Sequence, residues 1–467
     1  MKLLYNIKFW IILLFAARII YISNPPLEVA HNWRQSIVAM VARNFLETDN
    51  NIFFPRIDFA GEKSGITGME FPLFNYMIYI FSLLFGYDHW YGRLINLVIS
   101  SIGIFYYYRL LKKYFTEKLA FLSSFVLLFS LWFAFAWKIM PDTFAVSLMI
   151  IAVYYGLDYM YNARPKYNSL IAYCIFLIAA SLSKISSAYL LIILILPFIN
   201  KTIPKSRKIF IGLTTVAGIV PCVVWYFYWT PYLVETYGFW HFFMGKNLSE
   251  GFIEIFKNLP QTLERFYGDA LNYISFGLLL FGTYCAIKSR DNLILSIFIL
   301  GFAGFSFFVI KSGYNFPHHS YYVLPIVPVM SLMAGYGLSQ IKNKILLIVL
   351  LTCISIEGTL NQLHHFNIKE NNKALLSLEK DLNKVSGKDE LILVNSSGQP
   401  TPMYLAHRRG WTETNENIQN EAYISGLKYK GLKHIVILKK AFGEDVKLPY
   451  MVSLENDDYC IYTLKDL

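Results

Sequence analysis

Apolar runs of about fifteen to twenty residues recur from the N-terminus to about residue 358, separated by short polar breaks. A helix needs roughly 20 apolar residues to cross the hydrocarbon core of a bilayer. The runs 6–23, 91–110, 119–137, 143–160, 168–183, 186–200, 209–229, 271–287, 292–310, 321–339 and 343–358 therefore predict eleven transmembrane helices. A further apolar stretch, FPLFNYMIYIFSLLFGY at 71–87, is long enough to cross or to lie at the surface. From about residue 359 the pattern changes. ELILVN (390–395) and HIVILKK (434–440) are strand-like, and Asn371–Val385, ahead of both, has helical spacing. The expected fold class is an all-α polytopic membrane domain, 1–358, with a long first loop over 24–90, followed by a small α/β domain, 359–467. No internal repeat is evident.

Basic residues fix the orientation. If 71–87 does not cross, Lys2, Lys8, Arg109, Lys112, Lys113, Lys118, Arg164, Lys166, Lys201, Lys205, Arg207, Lys208, Lys288, Arg290, Lys342 and Lys344 fall on one side. The opposite short loops keep only Lys138, Lys184 and Lys311. Cytoplasmic loops are enriched in Lys and Arg. This places the N-terminus in the cytoplasm, the C-terminal domain outside, and 71–87 as an interfacial helix. Residues 1–23 lack a small-residue cleavage signal and are expected to remain as the first span.

Composition adds little that the pattern does not give. The chain is 55% hydrophobic and only 16% charged, with a net charge of +11. The cations lie in loops between spans, which argues for membrane orientation and against nucleic acid. Five cysteines form no CxxC pair, so neither a zinc site nor a disulfide framework is expected.

The predicted outer face collects the chemistry-bearing residues. EVAHNWRQSIVAMVARNF (28–45) holds Glu28, His31, Arg34 and Gln35, with apolar residues at helical spacing from Trp33 to Phe45. GMEFPLFNY (68–76) supplies Glu70 and starts a second surface helix. In AWKIMPDTFA, Asp142 follows a proline at a helix start, where a carboxylate also serves as a cap. Ionisable residues at membrane depth are costly and mark functional candidates. Lys184, Arg265, Lys311, His318 and His319 lie in other outer segments. Snorkelling explains any one of these cations; converging, they would clamp a phosphate.

HNWRQSIVAMVARNF, GMEFPLFNY and PHHSYYVLPIVP together resemble the C-type glycosyltransferase fold, GT-C. The group is the bacterial aminoarabinose-transferase and protein O-mannosyltransferase-like one, similar to glycosyltransferase families 39 and 83. The resemblance covers residues 1 to about 340. It implies a polyprenyl-phosphate-linked sugar as donor, entering from membrane lipids, and a glycan, lipid or protein acceptor at the outer face of a bacterial plasma membrane. It also implies an acid in the first outer loop as base. Here the chain departs: Ile37 and Val38 stand where a bacterial subset has Asp and Thr, and Arg34 and Gln35 stand near an expected acid pair.

Transfer of a sugar to a hydroxyl needs a base near the hydroxyl and cations near the departing phosphate. The expected catalytic residues are Asp142, Glu70 and His31. The expected phosphate ligands are Arg34, Lys184, Arg265, Lys311, His318 and His319. No metal or other cofactor is expected, because carboxylates in the first loop are scattered. A lipid-diphosphate-dependent ligase or polymerase, a lipid-linked glycan transporter and a non-catalytic scaffold remain as alternatives.

Overall fold

The computed structural model describes residues 4–239, 245–443 and 446–464. The chain divides into two compact units. One comprises Met1–Ile22, Arg93–Tyr228 and Phe243–His364; the other comprises Ser23–Gly92, Trp229–Phe242 and His365–Leu467.

The first unit is helical. Among the described residues, six helices are long and apolar enough to cross a membrane: Trp90–Tyr114, Pro141–Tyr161, Lys205–Tyr237, Asn292–Ser312, Ser320–Gln340 and Lys344–His364. A seventh span is formed if Leu259–Ala270 and Asn272–Ser289, bent by 98°, are taken as one. The other apolar runs also fold as helices, but short or broken ones. The run 119–137 splits into Glu117–Leu128 and Leu131–Phe135. Ser130 accounts for the break: its Oγ accepts the Trp132 N–H at 3.2 Å and donates to the Leu127 carbonyl at 2.7 Å, so it caps one helix while closing the other. The run 186–200 is a tight 3₁₀ segment, Ile185–Leu194, continued by Ile195–Ile199. Hydropathy alone does not register such breaks, because the side chains on either side stay apolar.

The second unit is built on a five-stranded sheet in the order β2-β1-β3-β5-β4. The strands are β1 (Leu391–Val394), β2 (Gly410–Thr412), β3 (Leu432–Leu438), β4 (Met451–Glu455) and β5 (Tyr459–Thr463). β1 pairs in parallel with β2 and β3, while β5 runs antiparallel to β3 and β4. The two-residue period of a strand sends alternate side chains to opposite faces. Leu393, Ile435, Ile437, Cys460 and Tyr462 pack with Ile418, Ile424 and Leu427. Ile392, Val394, Val436, Leu438 and Ile461 pack instead with Leu27, Met40, Val41 and Phe45 of the first loop. The tail and the loop 24–90 thus share one core, a pairing across more than three hundred residues of sequence.

The helix Asn32–Glu47 is buried on more than its apolar face. Arg34, Gln35, Ser36, Arg43 and Asn44 are buried along with the apolar positions. The polar faces are paired rather than solvated: Arg43 meets Asp58 at 2.9 Å, and Asn44 donates to the same carboxylate at 2.7 Å. The 71–87 stretch forms the helix Leu73–Phe85, 13 residues long. At 1.5 Å rise per residue it reaches ~20 Å, short of a ~30 Å hydrocarbon core. Asn75 ties it to Asn32–Glu47 by donating to the Val38 carbonyl at 2.9 Å.

At Gly410 strand β2 passes very close to strand β1. The φ of Gly410 is +151°, and a Cβ there would lie 1.7 Å from the Ile392 carbonyl oxygen. Gly410 also donates to the Asp58 carbonyl and accepts from the Gly61 N–H. Gly410→Ala is expected to destabilise the second unit by about 3 kcal/mol or more, through overpacking against a backbone that cannot yield. A thermal melt in detergent, paired with limited proteolysis of the tail, checks this.

Candidate functional site

Each unit holds a buried carboxylate paired to a cation. In the second unit the chain enters Asn32–Glu47 through two consecutive residues in the left-handed region, Ala30 at φ +67° and His31 at φ +65°. Non-glycine residues in that region are uncommon and carry a strain cost. The turn is held from outside: Val29 N–H donates to the Asn367 carbonyl at 2.7 Å, and Glu28 bridges Ile368. It delivers Arg34 and Gln35 inward. Gln35 Nε2 donates to Glu28 Oε2 at 3.0 Å, with both residues fully buried. Arg34 Nη2 donates to Glu70 Oε1 in an ion pair whose side chains are 0% and 2% exposed.

Glu70 reaches that position because the preceding backbone runs close to Thr230. A Cβ on Gly68 would come within 2.5 Å of Thr230 Cγ2, and Thr230 Oγ1 donates to the Met69 carbonyl at 3.3 Å. The second carboxylate oxygen, Oε2, is buried and accepts no hydrogen bond among the described residues. A buried carboxylate oxygen left in this state costs free energy.

The first unit repeats the motif. Asp142 is the second residue of Pro141–Tyr161, directly after the N1 proline, and is 4% exposed. Its Oδ1 lies 3.3 Å from Lys184 Nζ, while Oδ2 is buried and accepts no hydrogen bond among the described residues. Asn96 fixes the turn before it. Its Nδ2 donates to the Phe135, Lys138 and Met140 carbonyls at 3.0, 2.9 and 3.1 Å, and its Oδ1 accepts from Thr143 at 3.0 Å. Lys184 stands at the junction of two helices with extended backbone, and its Nζ lies 5.6 Å from the Tyr321 ring centroid. His319 stacks on the same ring at 5.5 Å. Burial lowers the His319 pKa, and the charges of His318 and Lys184 lower it further. Both effects favour the neutral imidazole.

The remaining expected ligands sit elsewhere. Arg265 pairs with Asp269 at 2.5 Å and lies 3.5 Å from Glu264. Lys311 donates to the Lys246 carbonyl at 2.5 Å, and His318 Nδ1 contacts the Tyr314 carbonyl at 2.7 Å. These three fasten their own loops. His31 is the strained cap of the first-loop helix, with no cap hydrogen bond from its side chain. Among the described residues no group of three His, Cys, Asp or Glu has metal-site geometry.

Sequence reasoning missed several buried cations of the first unit. Arg93 is fully buried, with its guanidinium 4.0 Å from the Trp137 ring centroid. Lys138, which had served only to count charges, is also fully buried. Arg18 pairs with Gln362, whose Nε2 reaches the Leu128 and Ser130 carbonyls at 3.1 and 2.9 Å. A charge inside an otherwise apolar run was the available signal for Arg18 and Arg93.

Comparison with known proteins follows the same lines. Residues 70–226 match the dolichyl-phosphate-mannose-protein mannosyltransferase family. No curated protein sequence matches the chain. Among solved structures, ArnT from Cupriavidus metallidurans in the apo state is similar at 13% identity, covering 98% of each chain, with a TM-score of 0.61. The Archaeoglobus fulgidus oligosaccharyltransferase in the apo form is similar at 11% identity and TM-score 0.55, over 92% of this chain and 69% of that one. The arabinofuranosyltransferase AftD from Mycobacteria reaches TM-score 0.54 at 9% identity, over 98% of this chain and 40% of the other.

Two measurements test the local electrostatics. Arg34→Met leaves Glu70 buried without its counter-charge and is expected to cost about 3–5 kcal/mol of stability. Adding Glu70→Met should restore part of that loss in a detergent melt. For His319, a folded pKa below the unfolded one means that stability is full above the unfolded value near 6.5 and falls as pH drops towards the folded value. His319→Gln should therefore lose less melting temperature than the parent chain between pH 7 and pH 5.

Proposed function

We propose that this chain, which has the GT-C fold, is a membrane glycosyltransferase that moves a sugar from a polyprenyl-phosphate donor to an acceptor hydroxyl at the outer face of a bacterial plasma membrane. The observation that carries this reading is the buried carboxylate of Glu70, with Oε1 held by Arg34 and Oε2 accepting no hydrogen bond among the described residues. The similar ArnT from Cupriavidus metallidurans has been solved bound to undecaprenyl phosphate. The Archaeoglobus fulgidus oligosaccharyltransferase AglB has been solved with an inhibitory peptide and a dolichol-phosphate. Both support a lipid-phosphate donor here.

The reaction breaks the bond between the anomeric carbon and the phosphate oxygen and forms one to the acceptor oxygen. The lipid phosphate leaves with the bonding electron pair, and the acceptor hydroxyl loses its proton. Glu70 is assigned as the base. Arg34 holds Oε1 and so aims Oε2, which takes that proton. His31, in its strained turn, assists on the same side. Asp142 is assigned to orient a sugar hydroxyl through Oδ2. Lys184 holds the other Asp142 oxygen and contributes positive charge for a phosphate. The neutral His319 offers a hydrogen bond next to that charge. Preorganised charge of this kind stabilises a developing phosphate anion without reorganisation at the moment of reaction.

Orientation is part of the proposal. The short helix Leu73–Phe85 and the basic loops on the opposite side support an outer placement of the first loop and the tail, with the N-terminus in the cytoplasm.

The test uses the purified full chain with a polyprenyl monophosphate sugar or the matching diphosphate. Transfer from the monophosphate alone is expected. Glu70→Gln and Asp142→Asn should each lower kcat by about a hundredfold or more, within the range for a lost acid–base group. Transfer from the diphosphate alone, or unchanged rates in both variants, contradicts the assignment.

A further inference from the structure

A polar hollow of about 600 Å3 opens in the second unit at the first turn of Asn32–Glu47. Its volume falls within the range of small-molecule sites. Four of its walls are primary amides: Asn32, Asn371, Asn372 and Gln399. Trp33 and Phe442, both half-buried, supply two aromatic rings. The floor is anchored to the helix by Ser36, whose Oγ donates to Thr401 Oγ1 at 3.2 Å.

The chemistry of this lining narrows the ligand. Each amide offers both donors and acceptors. A sugar hydroxyl likewise donates and accepts, so neighbouring hydroxyls on a pyranose suit neighbouring amides. Aromatic rings cover the apolar C–H face of a sugar while the amides take its edge. A lipid chain would want apolar walls throughout. A phosphate would want convergent cations, whereas the two lysines here, Lys369 and Lys440, are exposed and accompanied by Glu370.

We infer that this hollow binds the saccharide portion of the acceptor, a hydroxyl-rich oligosaccharide. The inference rests on the glycosyltransferase reading above and names the acceptor class for it. The placement is economical: Trp33 lines the hollow, and the next residue, Arg34, holds Glu70. The strained turn at Ala30 and His31 leads directly into this wall.

The experiment titrates the full chain in detergent, by calorimetry, with lipid-free oligosaccharides released by mild acid from the source cell's own envelope glycans. Saturable binding is expected. Asn372→Ala and Gln399→Ala, whose side chains contribute no core packing, should each weaken it at least tenfold while the melting temperature holds. Trp33→Ala should abolish it, and the two amide variants keep the test decisive if that one misfolds. Absence of saturable binding, or binding indifferent to both amide variants, overturns the inference. The two readings fail separately. Transfer by the parent chain without oligosaccharide binding removes the hollow's role and leaves the enzyme. Binding retained alongside normal transfer by Glu70→Gln removes the base assignment and leaves the hollow.

Discussion

A buried carboxylate must be matched by a nearby positive charge or by hydrogen bonds, because water no longer solvates it. That constraint organises both units of this chain. Glu70 is matched by Arg34, and Asp142 by Lys184. In each case the match is incomplete: one oxygen is held and the other is buried with no hydrogen bond among the described residues. A purely structural ion pair gains from satisfying every lone pair. A carboxylate aimed by a cation, with its second oxygen open, is what the proposed role of Glu70 requires.

The supports behind these pairs are backbone ones. Asn96 gathers three carbonyls around the turn that precedes Asp142. The Gly68–Thr230 approach sets the path into Glu70. Two left-handed residues turn the chain so that Arg34 and Gln35 point inward. Such arrangements hold a side chain within the small tolerance that catalysis requires. Ile37, where a bacterial subset carries an acid, lies on the same helix as Arg34 but packs against the core shared with the tail. The acid function is thus assigned to a neighbouring segment, with the helix contributing the cation that aims it.

Six of the eleven expected spans, the strands at Leu391–Val394 and Leu432–Leu438 and the helical stretch 371–385 ahead of them were legible in the sequence, because each depends on local periodicity. Glu70, Arg34, Asp142 and Lys184 were legible as isolated charges beside apolar runs. Their pairing was not, since Arg34 and Glu70 are 36 residues apart and no pattern within either segment points to the other. The shared core of the first loop and the tail was hidden for the same reason. An alternating strand announces two faces without saying what covers them. Lys311 and His318 looked like free outer cations because their partners are backbone carbonyls, which a sequence does not display. Arg265 was the readable exception: Asp269 lies four residues on, the spacing of a helical ion pair.

The most direct measurement is a density map of the full chain with a non-cleavable polyprenyl phosphonate sugar and an acceptor oligosaccharide. The account predicts an acceptor hydroxyl within hydrogen-bond reach of Glu70 Oε2, with Arg34 still on Oε1. A map in which both ligands are bound and Glu70 Oε2 touches neither would contradict it.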